Sequence, residues 1–151
     1  MRKNRLFYLC VLFTVCMVSC AAAMSVSCPD AHLVLTVPDS WTVVSASSAG
    51  DPDLCLLLEG EDVSLAVYVT DVNGVLPDSF QVWFGNETES GTDVRSGVRV
   101  NYVAGSSSDG DYRIYTWLDR RNQVQLYFLI SGQSQAARKV IDTIMDSLAF
   151  D

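Results

Sequence analysis

Hydrophobic and polar residues alternate along several stretches of this chain, and a period of two predicts β-strands. The alternation is strict over 63–69 and 124–130, where every second residue is valine, leucine, isoleucine or phenylalanine. Each of these stretches therefore presents an apolar face to a core. Short polar connectors favour antiparallel pairing of neighbouring strands. Composition predicts further strands at 32–37, 41–44, 54–58, 94–103 and 112–118.

Two segments have the spacing of helices instead. Apolar residues recur at helical spacing over 134–148, with charged residues between them, which predicts an amphipathic helix that covers a sheet. Phe80, Trp83 and Phe84 lie at i, i+3 and i+4, which predicts a two-turn helix in mid-chain. Together the patterns predict an α+β fold. It has a mainly antiparallel sheet of about six or seven strands, with the short mid-chain helix and the C-terminal amphipathic helix packed on it.

The first twenty residues predict export from the cytoplasm. Three basic residues precede an apolar run over 6–18, and Ser19 then leads to Cys20. A basic start, an apolar run of this length and a small-residue exit form a secretory signal, which is too short to act as a spanning helix.

Two processing sites compete at the end of this signal. Met17-Val18-Ser19-Cys20 resembles the lipobox of bacterial lipoproteins, in which signal peptidase II cuts before a cysteine that carries diacylglycerol. Methionine stands where leucine is usual. Ala21-Ala22-Ala23 is an alternative site for signal peptidase I, which would release a secreted protein that begins at Met24. We favour lipid attachment at Cys20, which would hold the protein at the membrane on the extracytoplasmic side.

The rest of the chain has room for one domain. Residues 1–19 are predicted as signal peptide, 20–30 as a short polar tether and 31–151 as a single domain. After the signal the chain has seven cationic residues and all 18 acidic ones, which gives a net charge of about −11. This charge excludes nucleic acid as a partner, because phosphate backbones are bound mainly by clustered lysine and arginine.

The cysteines suggest one disulfide. Cys10 and Cys16 leave with the signal and Cys20 takes the lipid, so Cys28 and Cys55 remain in an oxidising compartment. A bridge between them would close a loop of about 27 residues and stabilise the fold by roughly 3 kcal/mol. The alternative is a buried strand thiol at Cys55 and a free thiol at Cys28.

No residue pattern indicates catalysis, a cofactor or a metal. His32 is the only histidine, and no nucleophile motif accompanies it. The acidic loops at 51–53, 59–62 and 109–111 have oxygen ligands of the kind calcium prefers, but 109–111 lacks the remaining positions of an EF-hand loop. We therefore interpret these loops as solvated turns and expect a protein that is not an enzyme.

Tyr115 and Trp117 share one face of a predicted strand. If no helix covers that face, the two rings form an exposed binding surface for a protein or glycan partner. The alternative is that the helix with Phe80, Trp83 and Phe84 packs on them.

Two local motifs resemble those of a known fold. Val37-Pro38-Asp39-Ser40-Trp41 is similar to a hydrophobic-Pro-x-x-Trp corner, and 140–148 is similar to a closing helix, of the PsbP-like (Mog-type) α+β fold. That fold includes small bacterial lipoproteins of the DcrB type. The resemblance implies an accessory or binding domain without a shared catalytic constellation, in which Trp41 is a core residue.

The sequence as a whole predicts a lipid-anchored extracytoplasmic accessory or interaction module without catalytic activity. A secreted domain that binds a small ligand or a divalent ion is the alternative. An extracytoplasmic enzyme is the third candidate.

Overall fold

The computed structural model describes residues 22–45, 51–73, 87–108, 110–132 and 135–150. These residues form ten strands, a single turn of 3-10 helix and one α-helix. No helix among them is long and apolar enough to cross a membrane. The elements are β1 (Ala23–Cys28), the 3-10 turn (Pro29–Ala31), β2 (Leu33–Pro38), β3 (Thr42–Ser45), β4 (Leu54–Glu59), β5 (Val63–Asp71), β6 (Glu87–Arg95), β7 (Val98–Ser107), β8 (Gly110–Asp119), β9 (Val124–Gly132), α1 (Gln135–Asp146) and β10 (Ala149–Phe150).

The larger sheet has seven antiparallel strands in the order β3-β4-β5-β9-β8-β7-β6. Its centre is the pair β5 and β9, in which Leu65 lies opposite Ile130 and Val67 opposite Phe128. These four side chains are buried in the main core. The strict alternation of both strands thus places one apolar face toward the rest of the molecule.

The smaller sheet has three antiparallel strands in the order β1-β2-β10. Leu33, Leu35 and Val37 of β2 are buried in the same core as the inner face of the larger sheet. Helix α1 contributes Ile141 and Ile144 to that core and contacts β2, β5 and β9. The core therefore lies between the larger sheet on one side and the smaller sheet and α1 on the other.

The predicted fold class is wrong. The described residues form a mainly β structure with two antiparallel sheets of three and seven strands and one α-helix, rather than one sheet of six or seven strands with two helices. The second sheet was missed because β1 and β10 are polar or very short and obtain their backbone hydrogen bonds from β2. β1 also occupies part of the stretch that the sequence predicts as a tether. The mid-chain helix predicted over Phe80, Trp83 and Phe84 lies outside the described residues.

A corner at Pro38–Trp41 leads the chain from the smaller sheet into the larger one. The N–H of Trp41 donates to the carbonyl of Pro38 over 3.0 Å, and the indole is buried. The ring lies against Gly60, where an added Cβ would come within 2.8 Å of Trp41 Cε2. Only glycine fits under the ring without displacing it. Trp41 is thus a core residue, as the resemblance implied.

The two ends of the larger sheet differ in their relation to β1. The N–H of Asp39 donates to the carbonyl of Ala22 over 3.1 Å, so β1 begins beside the Trp41 corner and the β4–β5 turn. We name this end of the larger sheet the proximal end. Strands β5, β6 and β8 end, and β7 and β9 begin, at the opposite end. We name that opposite end the distal end.

The predicted disulfide is present. Cys28 and Cys55 are bonded, with their Cα atoms 6.0 Å apart and a sequence separation of 27. The bridge joins the last residue of β1 to β4, so it links the two sheets. Cys28 is buried and Cys55 packs against the same core.

Candidate functional site

Tyr115 and Trp117 point into the core. They are 1% and 7% exposed, and the Trp117 ring lies 4.7 Å from that of Phe150. Both belong to the core that α1 and β2 complete, so the C-terminal helix and the smaller sheet cover this face. An exposed binding surface made of these two rings is therefore excluded by their burial. The burial of Tyr115 and Trp117 is therefore explained without the helix predicted over Phe80, Trp83 and Phe84.

A buried arginine organises the polar groups next to Tyr115. Arg95, at the end of β6, is 9% exposed. Its Nη2 lies 2.9 Å from Asp93 Oδ2 and 2.8 Å from Asp142 Oδ1, and its Nη1 lies 3.6 Å from Asp146 Oδ1. Asp142 and Asp146 are four residues apart, so they share one face of α1. The guanidinium thus ties the edge of the larger sheet to the helix.

The hydroxyl of Tyr115 completes this Arg95 cluster. It accepts a hydrogen bond from Arg95 Nη2 over 2.8 Å and donates to Asp93 Oδ2 over 3.3 Å. The Arg95 guanidinium also lies 5.1 Å from the centre of the Tyr115 ring. Desolvation raises the pKa of Asp93, but the Val94 N–H and the charge of Arg95 outweigh it and hold the pKa below its ordinary value. Arg95 Nε is buried without a hydrogen-bond partner, but both terminal nitrogens of the guanidinium face carboxylates within the protein, which indicates a structural role.

We expect Arg95→Met to lower the free energy of unfolding by about 2 kcal/mol, because loss of a buried partner leaves its carboxylates uncompensated. The value is small for a buried ion pair because water reaches all three carboxylates and screens them. Pairing lowers the pKa of Asp93, so its contribution is present above the ordinary value of 3.8 and is lost as the pH falls through the lowered pKa. Chemical denaturation at several pH values should therefore show the difference shrinking below pH 3.8.

Arg99→Met is the matched control, because Arg99 is an exposed arginine on the neighbouring strand β7. Its replacement should change the unfolding free energy by less than about 0.5 kcal/mol. Equal losses in the two variants would contradict a structural role for the Arg95 cluster.

A cleft of about 220 Å³ lies between β8, β9 and α1, toward the proximal end. Arg138 and Asp111 meet across it over 2.8 Å, and the Ser106 hydroxyl donates to the other oxygen of Asp111. These two contacts, the Ser106 hydroxyl foremost, hold the pKa of Asp111 below its usual range. Arg113, which also lines the cleft, lies 3.7 Å from Glu89 and 4.7 Å from the Tyr102 ring. The charges of this cleft are thus satisfied within the protein.

A second concave surface, the distal groove, lies on the larger sheet at the distal end. Its volume is about 420 Å³, and its wall is formed by β7, β8, the start of β9 and the turn after β5. Leu118 and Val98 are 42% and 43% exposed there. The lining residues used below are Val72, Val98, Arg99, Trp117, Leu118 and Arg120.

The other residues weighed in the sequence lie apart from these surfaces. His32 is exposed at the end of the 3-10 turn, with φ of 49°. Asp51 Oδ1 accepts the N–H of Asp53 over 3.1 Å, which is the geometry of a turn. Within the described ranges, no three histidine, cysteine, aspartate or glutamate residues converge as metal ligands. Asp109 and Cys20 lie outside the described residues.

Sequence reasoning missed both the Arg95 cluster and the distal groove. The sequence did contain a signal for the Arg95 cluster. Asp93 and Arg95 are two residues apart on one strand face, and Asp142 and Asp146 share a helix face. What was missing was the pairing of β6 with β7, which places Arg95 near α1. The distal groove has no sequence signal, since it is assembled from three strands and the turn after β5.

The architecture is that of the PsbP-like fold, which confirms this part of the resemblance seen in the sequence. The chain is similar to the solution structure of cyanobacterial PsbP (CyanoP) from Synechocystis sp. PCC 6803, with a TM-score of 0.61. The alignment covers 89% of this chain and 95% of that one, at 12% sequence identity. No family model matches the sequence, and no curated protein matches it either. At this identity the likeness concerns the fold alone.

Proposed function

We propose that this protein is an extracytoplasmic accessory module that is anchored to a membrane by lipid on Cys20 and acts by binding a partner. The observation that carries the anchor is the position of β1. Ala23 lies opposite Pro38 in the strand pair, and the Ala22 carbonyl accepts the N–H of Asp39. Cleavage before Cys20 retains both residues, whereas cleavage after Ala23 would remove them from the fold.

The position of β1 also limits the distance between lipid and domain. Two residue steps separate Cys20 from Ala22, and an extended chain spans at most about 3.6 Å per residue. The anchor would therefore hold the proximal end within about 7 Å of the lipid attachment point. The distal end would face away from the bilayer.

The Cys28–Cys55 bridge supports an extracytoplasmic location, because disulfides persist in oxidising compartments. We further assign the protein to the DcrB type of small bacterial lipoprotein within the PsbP-like fold, on the two sequence motifs described above.

Metabolic labelling with a tagged fatty acid tests the anchor. We expect the label to be incorporated into the wild type and into Cys16→Ala, whose cysteine lies in the discarded signal, and to be absent from Cys20→Ala. Intact mass should give a mature chain that begins at Cys20 and carries the lipid. Label retained in Cys20→Ala, or a mature chain that begins at Met24, would show that the anchor proposal is wrong.

A further inference from the structure

Exposed apolar side chains are concentrated at the distal groove. Five large hydrophobic residues are exposed in the described part of the chain, and three of them, Val72, Val98 and Leu118, line this groove. The buried Trp117 also contributes to the lining. The rest of the lining includes the polar residues Asn101, Thr116 and Gln125, so the groove combines exposed apolar side chains with polar ones, as interaction sites do.

The same groove carries cationic residues that the fold does not use. Arg99 and Arg120 line it, and neither forms an ion pair with any described residue. Arg95, Arg113 and Arg138, by contrast, are all paired with carboxylates. In a mature chain with a net charge of about −11, Arg99 and Arg120 are thus cationic groups at the groove that have no carboxylate partner among the described residues.

The acidic residues nearest to the groove in the chain have partners of their own. Asp119 accepts the N–H groups of Arg121 and Asn122 and the side-chain amide of Asn122. These bonds lower the pKa of Asp119 against the opposing effect of desolvation, which is the larger single cause. Asp71 accepts the N–H of Asn73 over 2.9 Å. Both carboxylates are held in turns, and neither forms an ion pair with Arg99 or Arg120.

We propose that the distal groove binds an extended segment of a partner protein in which aliphatic side chains alternate with acidic ones. The aliphatic side chains would pack on Val72, Val98 and Leu118, and the carboxylates would pair with Arg99 and Arg120, whose planar guanidinium groups suit such contacts. This inference deepens the proposed partner-binding role and places the partner at the distal end, opposite the start of β1. It does not depend on lipid attachment.

The test is a titration of the isotope-labelled mature chain, residues 20–151 without lipid, followed by amide chemical shifts. The probe is a blocked synthetic peptide, Glu-Leu-Asp-Leu-Glu. We expect the shift changes to concentrate on the residues that line the distal groove. Leu118→Ser should weaken binding about fivefold to tenfold, as removal of a central contact does. Arg120→Glu should weaken it about tenfold and reduce its dependence on salt.

The chain provides a matched control for each variant. Val94→Ser replaces a valine that is 60% exposed on β6 outside the groove, and Lys139→Glu reverses an exposed charge on α1. Both should bind the peptide as the wild type does. Two peptides serve as further controls: Lys-Leu-Lys-Leu-Lys removes the acidic groups and Glu-Ser-Asp-Ser-Glu removes the aliphatic ones, and both should bind at least about tenfold more weakly.

Several outcomes would overturn the proposal. They are absent binding, shift changes spread evenly over the surface, equal binding of the lysine peptide, and wild-type affinity in both groove variants. Shift changes at the groove that grow with protein concentration without peptide would assign it to a second copy of the chain instead. None of these results bears on fatty-acid labelling of Cys20, so failure of the groove and failure of the anchor are separable.

Discussion

Replacement of Trp117 by alanine is expected to lower the free energy of unfolding by about 3–5 kcal/mol, the range for loss of a large aromatic side chain from a core. Trp117 is 7% exposed and packs against the Phe150 ring. It therefore joins the larger sheet to β10 of the smaller one. For a chain of this length the loss should appear as a fall in Tm of roughly 10–15 °C.

Leu118→Ala is the matched control for this prediction. Leu118 follows Trp117 on the same strand, points to the opposite face and is 42% exposed. Its truncation should lower the unfolding free energy by less than about 1 kcal/mol. An unchanged Tm in Trp117→Ala would contradict the observed burial and would return this residue to consideration as a binding surface.

The central strands could be predicted from the sequence because burial of one face imposes a period of two. Val63 to Val69 and Val124 to Ile130 were predicted within two residues of the observed strands β5 and β9. In both, the residues that alternate in the sequence are the residues that fill the core. The C-terminal helix could also be predicted, because burial of one face against β2, β5 and β9 imposes the helical spacing of its apolar residues.

The edge strands β6 and β1 could not be predicted, because most of their side chains are not selected by a core. β6 has the sequence ETESGTDVR, and most of its side chains are exposed. It is a strand only because its backbone pairs with β7 over 87–95. The sequence predicts no strand over 87–93, because the residues there are mostly polar. β1 was misread as a tether on the same grounds.

The turn between β6 and β7 shows how local chemistry was overlooked. The sequence predicts one strand over 94–103, but Ser96 and Gly97 have φ of 48° and 75° and reverse the chain. Positive φ at both positions is typical of a two-residue hairpin turn, which usually has asparagine or aspartate before the glycine. Here the Ser96 hydroxyl donates to the carbonyls of Asp146 and Leu148, at the end of α1. These tertiary contacts favour serine at this position, and they cannot be seen in the local sequence.

The candidate sites follow the same division. The disulfide was accessible to reasoning because the predicted processing left only Cys28 and Cys55. Tyr115 and Trp117 remained a possible binding surface in the sequence, because the smaller sheet that helps to cover those rings was not predicted. The alternation of a strand predicts which side chains share a face, but the elements that pack on that face depend on the topology of the whole fold.

Loss of the Cys28–Cys55 bridge is expected to lower the free energy of unfolding by about 3 kcal/mol, the value for a loop of this length in the chain-entropy account. The double variant Cys28→Ala/Cys55→Ala can be compared by chemical denaturation with the oxidised and the reduced wild type. The reduced wild type and the variant should be destabilised to a similar extent. Equal stability of the oxidised and reduced wild type would contradict the prediction.

The loss should also be uneven across the molecule. Among the described strands β1 pairs with β2 alone, and the bridge provides its covalent link to β4 in the larger sheet. β9, by contrast, has a strand on each side. Hydrogen exchange in the double variant should therefore accelerate most in β1 and least in β9, because segments with few contacts open locally. Uniform acceleration in both strands would show that the bridge acts on global unfolding alone. Selective exposure of β1 would show that the bridge holds the first strand, and with it the attachment point of the proposed anchor, against the domain.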